Sequence, residues 1–298
     1  MKPALPIAAF LMLMTAGCAS APAETPPVNN LLPAKFLTRP EGRIAYDDTG
    51  GTGPLVIAIP GMGDLRGEYR YLRPLLAQAG YRVVTFDVRG HGQSSVRWSD
   101  FSAHAVGQDA LALIDELGAG PAAVIGTSFA AGSALWAAHD APDKIRGIVM
   151  IGPMLRDYPA PVYLRAAAAI GFAGPWRVSF WTWYWDSLFT MRKPADHEAY
   201  RAALAANLHE PGRMDALRTM VELSKADTEA ILGRVQKPAL IIMGTRDKDF
   251  GDAAAEAKSL ALRTGAKLTL VEGAGHYPQV EAPETAGPRI AGFIRTLP

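Results

Sequence analysis

The sequence predicts an α/β architecture built on a mainly parallel, twisted sheet, and three observations predict it. Short apolar runs alternate with amphipathic stretches over most of the 298 residues, half of which are hydrophobic; this is the pattern of repeated strand–helix units around one core. The alternation stops between Met154 and Arg234, where helical patterning and Pro159, Pro161, Pro175, Pro194 and Pro211 take its place. A serine stands at a strand-to-helix bend, Gly126-Thr127-Ser128-Phe129-Ala130.

The elements follow in order. Arg43–Asp47 reads as an early strand, and Gly50-Gly51-Thr52-Gly53-Pro54 as a turn. Leu55–Ile59 is a buried strand, Tyr69–Ala79 a helix closed by Gly80, and Tyr81–Phe86 the next strand. Ser102 caps a helix that Gly118 ends. Ala122–Ile125 is a strand leading into a helix over Ser128–His139, and Ile145–Ile151 is another strand. Ala239–Met243 and Lys267–Val271 are the last strands, with helices over Glu256–Arg263 and Thr285–Thr296. Residues 36–153 and 235–298 thus form one α/β core. The interruption, 154–234, reads as a helical cap, since it is too long and too apolar for a structureless loop.

The amino terminus stands apart. Lys2 precedes an apolar run over Ile7–Met14, then Thr15-Ala16-Gly17-Cys18. About 10 apolar residues suit the core of an export signal, not a bilayer span of about 20. Residues 1–18 resemble a bacterial lipoprotein signal, although Thr15 stands where that signal usually has leucine. The resemblance implies cleavage before Cys18, its lipidation, and, with Ala19 following, an outer-membrane location facing the periplasm. Residues 19–35, rich in Ala and Pro, read as a flexible tether. The alternative is a soluble periplasmic or secreted form cut after Ala21-Pro22-Ala23.

Composition excludes several classes. Thirty basic and 29 acidic residues leave no field to hold nucleic acid. Cys18 is the single cysteine, so no disulfide forms within the chain, and the six histidines make no metal-binding pattern. Gly61-Met62-Gly63 follows a strand as a dinucleotide loop would, but the third glycine, Gly67, lies one residue too far.

The bend at Ser128 has the layout that lifts a hydroxyl clear of a sheet, with small residues two before and two after the serine. Such a hydroxyl needs a base. Gly273-Ala274-Gly275-His276-Tyr277 follows the last strand and supplies His276. The base needs an orienting carboxylate, and Gly244-Thr245-Arg246-Asp247 follows the preceding strand. Asp247 is the first choice, with Asp249, Asp252 and Asp157 as alternatives. The helix behind Ser128 also favours developing negative charge at its amino end.

These motifs, in this order and with Asp87-Val88-Arg89-Gly90-His91-Gly92-Gln93-Ser94 after a strand, resemble the serine branch of the α/β-hydrolase family over roughly residues 40–298. Two positions depart from its pattern: Ala130 where glycine is usual, and Pro60 where histidine often stands. The resemblance implies a serine hydrolase acting on carboxylic esters of small to medium, partly apolar molecules. Ser128 would be nucleophile, His276 base and Asp247 its partner, with the backbone N–H groups of Met62 and Phe129 as oxyanion hole. No metal or organic cofactor is implied. C–C bond, lactone or amide hydrolysis would use the same residues, and a catalytically silent binding protein is the alternative of another class. His91 reads as shaping its own turn. The aromatic stretch Trp176, Phe180, Trp181, Trp183, Tyr184, Trp185 spreads over about 200° of a helix, wider than one packing seam. Some of them are therefore expected to leave the cap core for a substrate pocket wall or for lipid, a mixed role of core and pocket wall being the first reading, with Trp181, Trp185 and, beside the histidine, Tyr277 as the pocket residues. Oligomeric state is left open.

Overall fold

In the computed structural model, residues 32–159 and 162–298 are described, the side chain of Leu164 excepted. The expected amino-terminal signal and the expected lipidation site, Cys18, lie outside the described residues. Eight strands form one sheet in the order β1-β2-β4-β3-β5-β6-β7-β8. β1 (Lys35–Arg39) and β2 (Gly42–Asp48) form an antiparallel hairpin at one edge, and β2 pairs antiparallel with β4 (Arg82–Phe86). β3 (Leu55–Ile59), β4, β5 (Ala122–Thr127), β6 (Ile145–Ile151), β7 (Ala239–Gly244) and β8 (Lys267–Val271) are parallel.

The unbroken apolar runs are explained by burial of both sheet faces. In β3, Leu55, Ile57 and Ile59 face one core with α2 (Ala103–Leu117), α3 (Phe129–Asp140) and α9 (Ala253–Thr264). Val56 and Ala58 face the other, with α1 (Leu72–Gln78) and α11 (Pro283–Arg295). The two-residue period of a strand makes that division. Ser102 caps α2 by accepting the Ala105 N–H at 3.1 Å, and Gly118 ends it in the left-handed conformation.

Two elements differ from expectation. β1 begins where the tether was expected to end, because the short Lys35–Arg39 run gains its stability from pairing with β2. The expected helix over Tyr69–Ala79 is two pieces: a 3₁₀ turn over Arg66–Arg70, then α1. Pro74 has no N–H, so it fits within the first turn of an α-helix and not deeper.

Between β6 and β7 the described residues form five helices: α4 (Val162–Ala173), α5 (Arg177–Ser187), α6 (His197–Leu208), α7 (Arg213–Glu222) and α8 (Ala226–Ala230). They build an apolar cluster of their own, into which the core sends Tyr277 and Val280. Arg70 also joins the two parts, gripping Asp196 through Nε at 2.6 Å and Nη2 at 3.0 Å, while the Tyr71 hydroxyl donates to the same carboxylate. α10 (Pro278–Glu281) follows the last strand's loop.

Candidate active site

Ser128 closes β5 and opens α3, and among the described residues it is the only non-glycine with positive φ, at 56°. Holding an L-residue there costs about 1–3 kcal/mol, so the surroundings must impose it. They do. The Ser128 N–H donates to the Ile151 carbonyl at 2.8 Å, and its own carbonyl accepts from Ala131 and Met154. A side chain at Gly126 would lie 2.0 Å from the Ala130 carbonyl oxygen. The steric demand for glycine therefore falls on position 126, while the methyl of Ala130 is accommodated in the buried core.

His276 reaches the site on the loop between β8 and α10. Its Nδ1 lies 2.7 Å from Asp247 Oδ2 and 3.5 Å from Asp249 Oδ2. An ionised carboxylate only accepts, so Nδ1 carries a proton in either form of the ring, and in the neutral form Nε2 keeps its lone pair. Burial alone would lower the imidazole pKa. The charges of Asp247 and Asp249, the Asp247 hydrogen bond and the charge of Glu68 outweigh it and raise it to about 9. Burial raises the Asp249 pKa, the imidazolium opposes this, and the Asp247 charge adds to it.

Of the alternatives to Asp247, Asp252 caps α9 by accepting the Ala255 N–H. Asp157 is bound to Ser224 and the Lys225 N–H in the cap. Asp249 stays beside the imidazole but accepts the Tyr184 hydroxyl at 2.5 Å.

Phe129 is the first residue of α3, so its N–H has no partner within the helix. Met62 lies in the loop after β3, and both neighbouring amides are committed. Gly61 N–H donates to Glu68 Oε2 at 3.0 Å, and Gly63 N–H to His91 Nε2 at 2.9 Å. His91, expected only to shape its own turn, thus bridges that turn to the Met62 loop, with Nδ1–H donating to the Arg89 carbonyl. Burial pushes its pKa down to about 4, so the ring is neutral.

Ser128, His276, Met62 and Asp249 line one cavity of about 430 Å³ under the cap, together with Trp181, Tyr184 and Tyr277. Trp185 does not line it. It is buried in the cap, stacked near His197 and Tyr200, with its Nε1–H on Asp64 at 3.0 Å. The arc of α5 divides its aromatics: Phe180, Trp181, Trp183 and Tyr184 meet the cavity, Trp183 at its exposed rim, and Trp185 the cap core, while Trp176, just before the helix, is largely exposed.

Several supporting residues lay beyond sequence reasoning. Glu281, fully buried, accepts N–H groups from Gly275 at 2.7 Å, Thr190 at 2.9 Å and Met191 at 2.7 Å, tying the histidine loop to the cap. Glu68 holds Gly61 and accepts from Gln279 at 2.8 Å; burial and the charge of Asp64 push its pKa up to about 8. Gly152 leaves room for the imidazole, since a side chain there would lie 3.2 Å from the ring. None of these carries a local motif.

A hydroxyl on a strained bend, a buried imidazole–carboxylate pair, two backbone donors and a mostly apolar cavity are the equipment of acyl transfer. A model of the α/β-hydrolase fold matches residues 54–283. The chain belongs to the α/β-hydrolase family. It is 30% identical over 212 residues to the magnesium-chelatase 30 kDa subunit of Rhodobacter capsulatus, covering 67% of this chain and 74% of that one. It is 26% identical over 260 residues to the 2-(acetamidomethylene)succinate hydrolase of Mesorhizobium japonicum, covering 82% and 89%. The polyketide synthase ThaQ of Burkholderia thailandensis is 27% identical over 271 residues; the match spans 88% of this chain but only 13% of ThaQ. Among solved structures, the enol-lactonase of Burkholderia xenovorans superposes with a TM-score of 0.72 at 20% identity, covering 85% of this chain and 97% of that one, a likeness of fold.

Proposed function

We propose that this chain is a serine hydrolase that cleaves carboxylic esters of small to medium, partly apolar molecules through an acyl-enzyme. The observation that carries the reading is the shared cavity: Ser128 on its strained bend and the Asp247-bound His276 line the same space. Ser128 Oγ attacks the ester carbonyl as His276 Nε2 takes its proton, and Asp247 steadies the imidazolium. The Met62 and Phe129 N–H groups hold the oxyanion, a contribution of about 3 kcal/mol per donor. His276 returns the proton to the departing alcohol. Water, deprotonated by His276, then releases the acid.

The test is Ser128→Ala against short p-nitrophenyl esters, with mass analysis after fluorophosphonate treatment. Wild type should gain one adduct, and the variant should lose the adduct and turnover. Retained turnover in the variant would sink the mechanism. Folded wild type that neither labels nor turns over would favour a binding protein.

We also propose export and outer-membrane anchoring through a lipid on Cys18, from the signal-like sequence of residues 1–18. Radiolabelled palmitate should enter wild type and not Cys18→Ala; equal incorporation would refute the anchor.

A further inference from the structure

The cavity over Ser128 has a polar feature that ester cleavage does not require. Its wall is apolar apart from Ser128, His276, Tyr184, Tyr277, Asp249 and Lys225. Lys225 is the only lysine or arginine on it. Among the described residues no carboxylate lies within 4.0 Å of its Nζ, whose hydrogen-bond acceptor is the Leu223 carbonyl at a long 3.4 Å. The neighbouring acid, Asp157, is occupied otherwise: its oxygens accept from the Ser224 hydroxyl at 2.5 Å and the Lys225 backbone N–H at 3.0 Å. That pair fixes the backbone carrying Lys225 and leaves the ammonium without an ion-pair contact to Asp157. Thr228, three residues on, accepts from Trp136 Nε1 on α3 at 3.0 Å, so this end of the cap is seated on the helix that starts after Ser128. Burial pulls the Lys225 pKa down, and the Asp157 charge only partly offsets it.

A half-desolvated cation without an ion-pair partner in an apolar cavity is a place for an anion. We propose, resting on the serine-hydrolase reading, that the substrate is an ester bearing a carboxylate remote from the scissile bond, and that Lys225 binds that carboxylate. One ammonium is a point charge, and among the described residues no other lysine or arginine lines the cavity, which suits a monoanion better than a phosphate dianion. Asp249 sets the orientation. It stands beside His276, where it repels a second anion, so the carboxylate lies away from the reacting carbonyl and the apolar wall covers the span between.

The experiment measures kcat/KM for paired esters of matched length. In one arm the acyl group ends in carboxylate or methyl, as p-nitrophenyl monoesters of glutarate, adipate and suberate against pentanoate, hexanoate and octanoate. In the other the carboxylate sits on the leaving group, as 4-butyryloxybenzoate against phenyl butyrate. Wild type should prefer the anionic member at one length in one arm. Lys225→Met should reduce that anionic-to-neutral ratio about 10- to 100-fold, and Lys225→Arg should retain most of it. Fluorophosphonate labelling and thermal melting verify that each variant is folded. A wild type that labels and cleaves neutral esters without preferring any anionic partner would overturn this inference alone. So would a ratio that Lys225→Met leaves within about threefold. A folded wild type that neither labels nor cleaves any ester would remove the underlying reading instead.

Discussion

At the scale of single residues, the site is a set of charges whose pKa values depend on one another. With His276 raised to about 9, the rising limb of kcat/KM should fall in the alkaline range. Asp249→Asn removes one of the anions that favour the imidazolium, so the limb should move to lower pH with the chemistry retained; a limb that stays put would deny Asp249 any part. Asp247→Asn should instead lower kcat about 10⁴-fold, as loss of the orienting acid does in serine proteases. His91 is a different case. Its folded pKa, about 4, lies below the unfolded value of about 6.5. Its contribution is therefore complete above about pH 6.5 and is lost as pH falls through 4, a change of about 3 kcal/mol. Urea unfolding of wild type and His91→Asn at pH 7 and pH 4.5 should show the steeper acid decline in wild type.

At the scale of elements, the loop after β3 is where core and cap meet. Trp181 donates to the Gly63 carbonyl at 3.0 Å, Trp185 to Asp64, and Tyr200 to Asp64 at 2.5 Å. His91 and Glu68 hold the same loop from the core side. Gly63 has φ of 70°, and a side chain there would lie 2.3 Å from the Trp181 indole. Gly63→Ala should consequently displace the Met62 amide and reduce kcat by about 100-fold, the usual effect of losing one oxyanion donor, with a smaller change in KM. Gly50→Ala is the control: its φ is 69° with nothing nearby, so it should cost about 1 kcal/mol of stability and no activity. Equal kcat values for the two variants would show that backbone strain alone, not the loop's position, had been tested.

At the scale of the whole molecule, the cap is seated on the core by buried charge as well as by aromatic packing. The Arg70 and Asp196 side chains are 5% and 4% exposed, with a two-point contact between them. Removing one partner of such a pair leaves a buried charge and typically costs about 3–5 kcal/mol, whereas replacing both by apolar residues is far milder. Arg70→Met alone should lower the urea-unfolding free energy by that amount, and Arg70→Met with Asp196→Leu should recover most of it. If the double variant is no more stable than the single one, the ion pair does not explain how the cap is held. No helix among the described residues is long and apolar enough to cross a membrane.

Much of this molecule was legible in the order of its residues, because the signals are local. Short apolar runs placed β3, β6 and β8 at their observed ends, Ser102 and Gly118 bounded α2, and the bend at Ser128 is written within five residues. The histidine loop follows from its position after the last strand. What only the tertiary structure decided is who meets whom across the chain. Asp247 and Asp249 are two residues apart and alike in sequence; the packing sets one at 2.7 Å and the other at 3.5 Å from the imidazole. Glu68 meets Gln279 across 211 positions, and Trp185 meets Asp64 across 121. Such partners leave no periodic trace, since a buried carboxylate or indole is stabilised by whatever donor or acceptor the fold brings to it. Trp185 sits four residues after Trp181, yet it turns to the cap core because Asp64 offers its N–H a partner there.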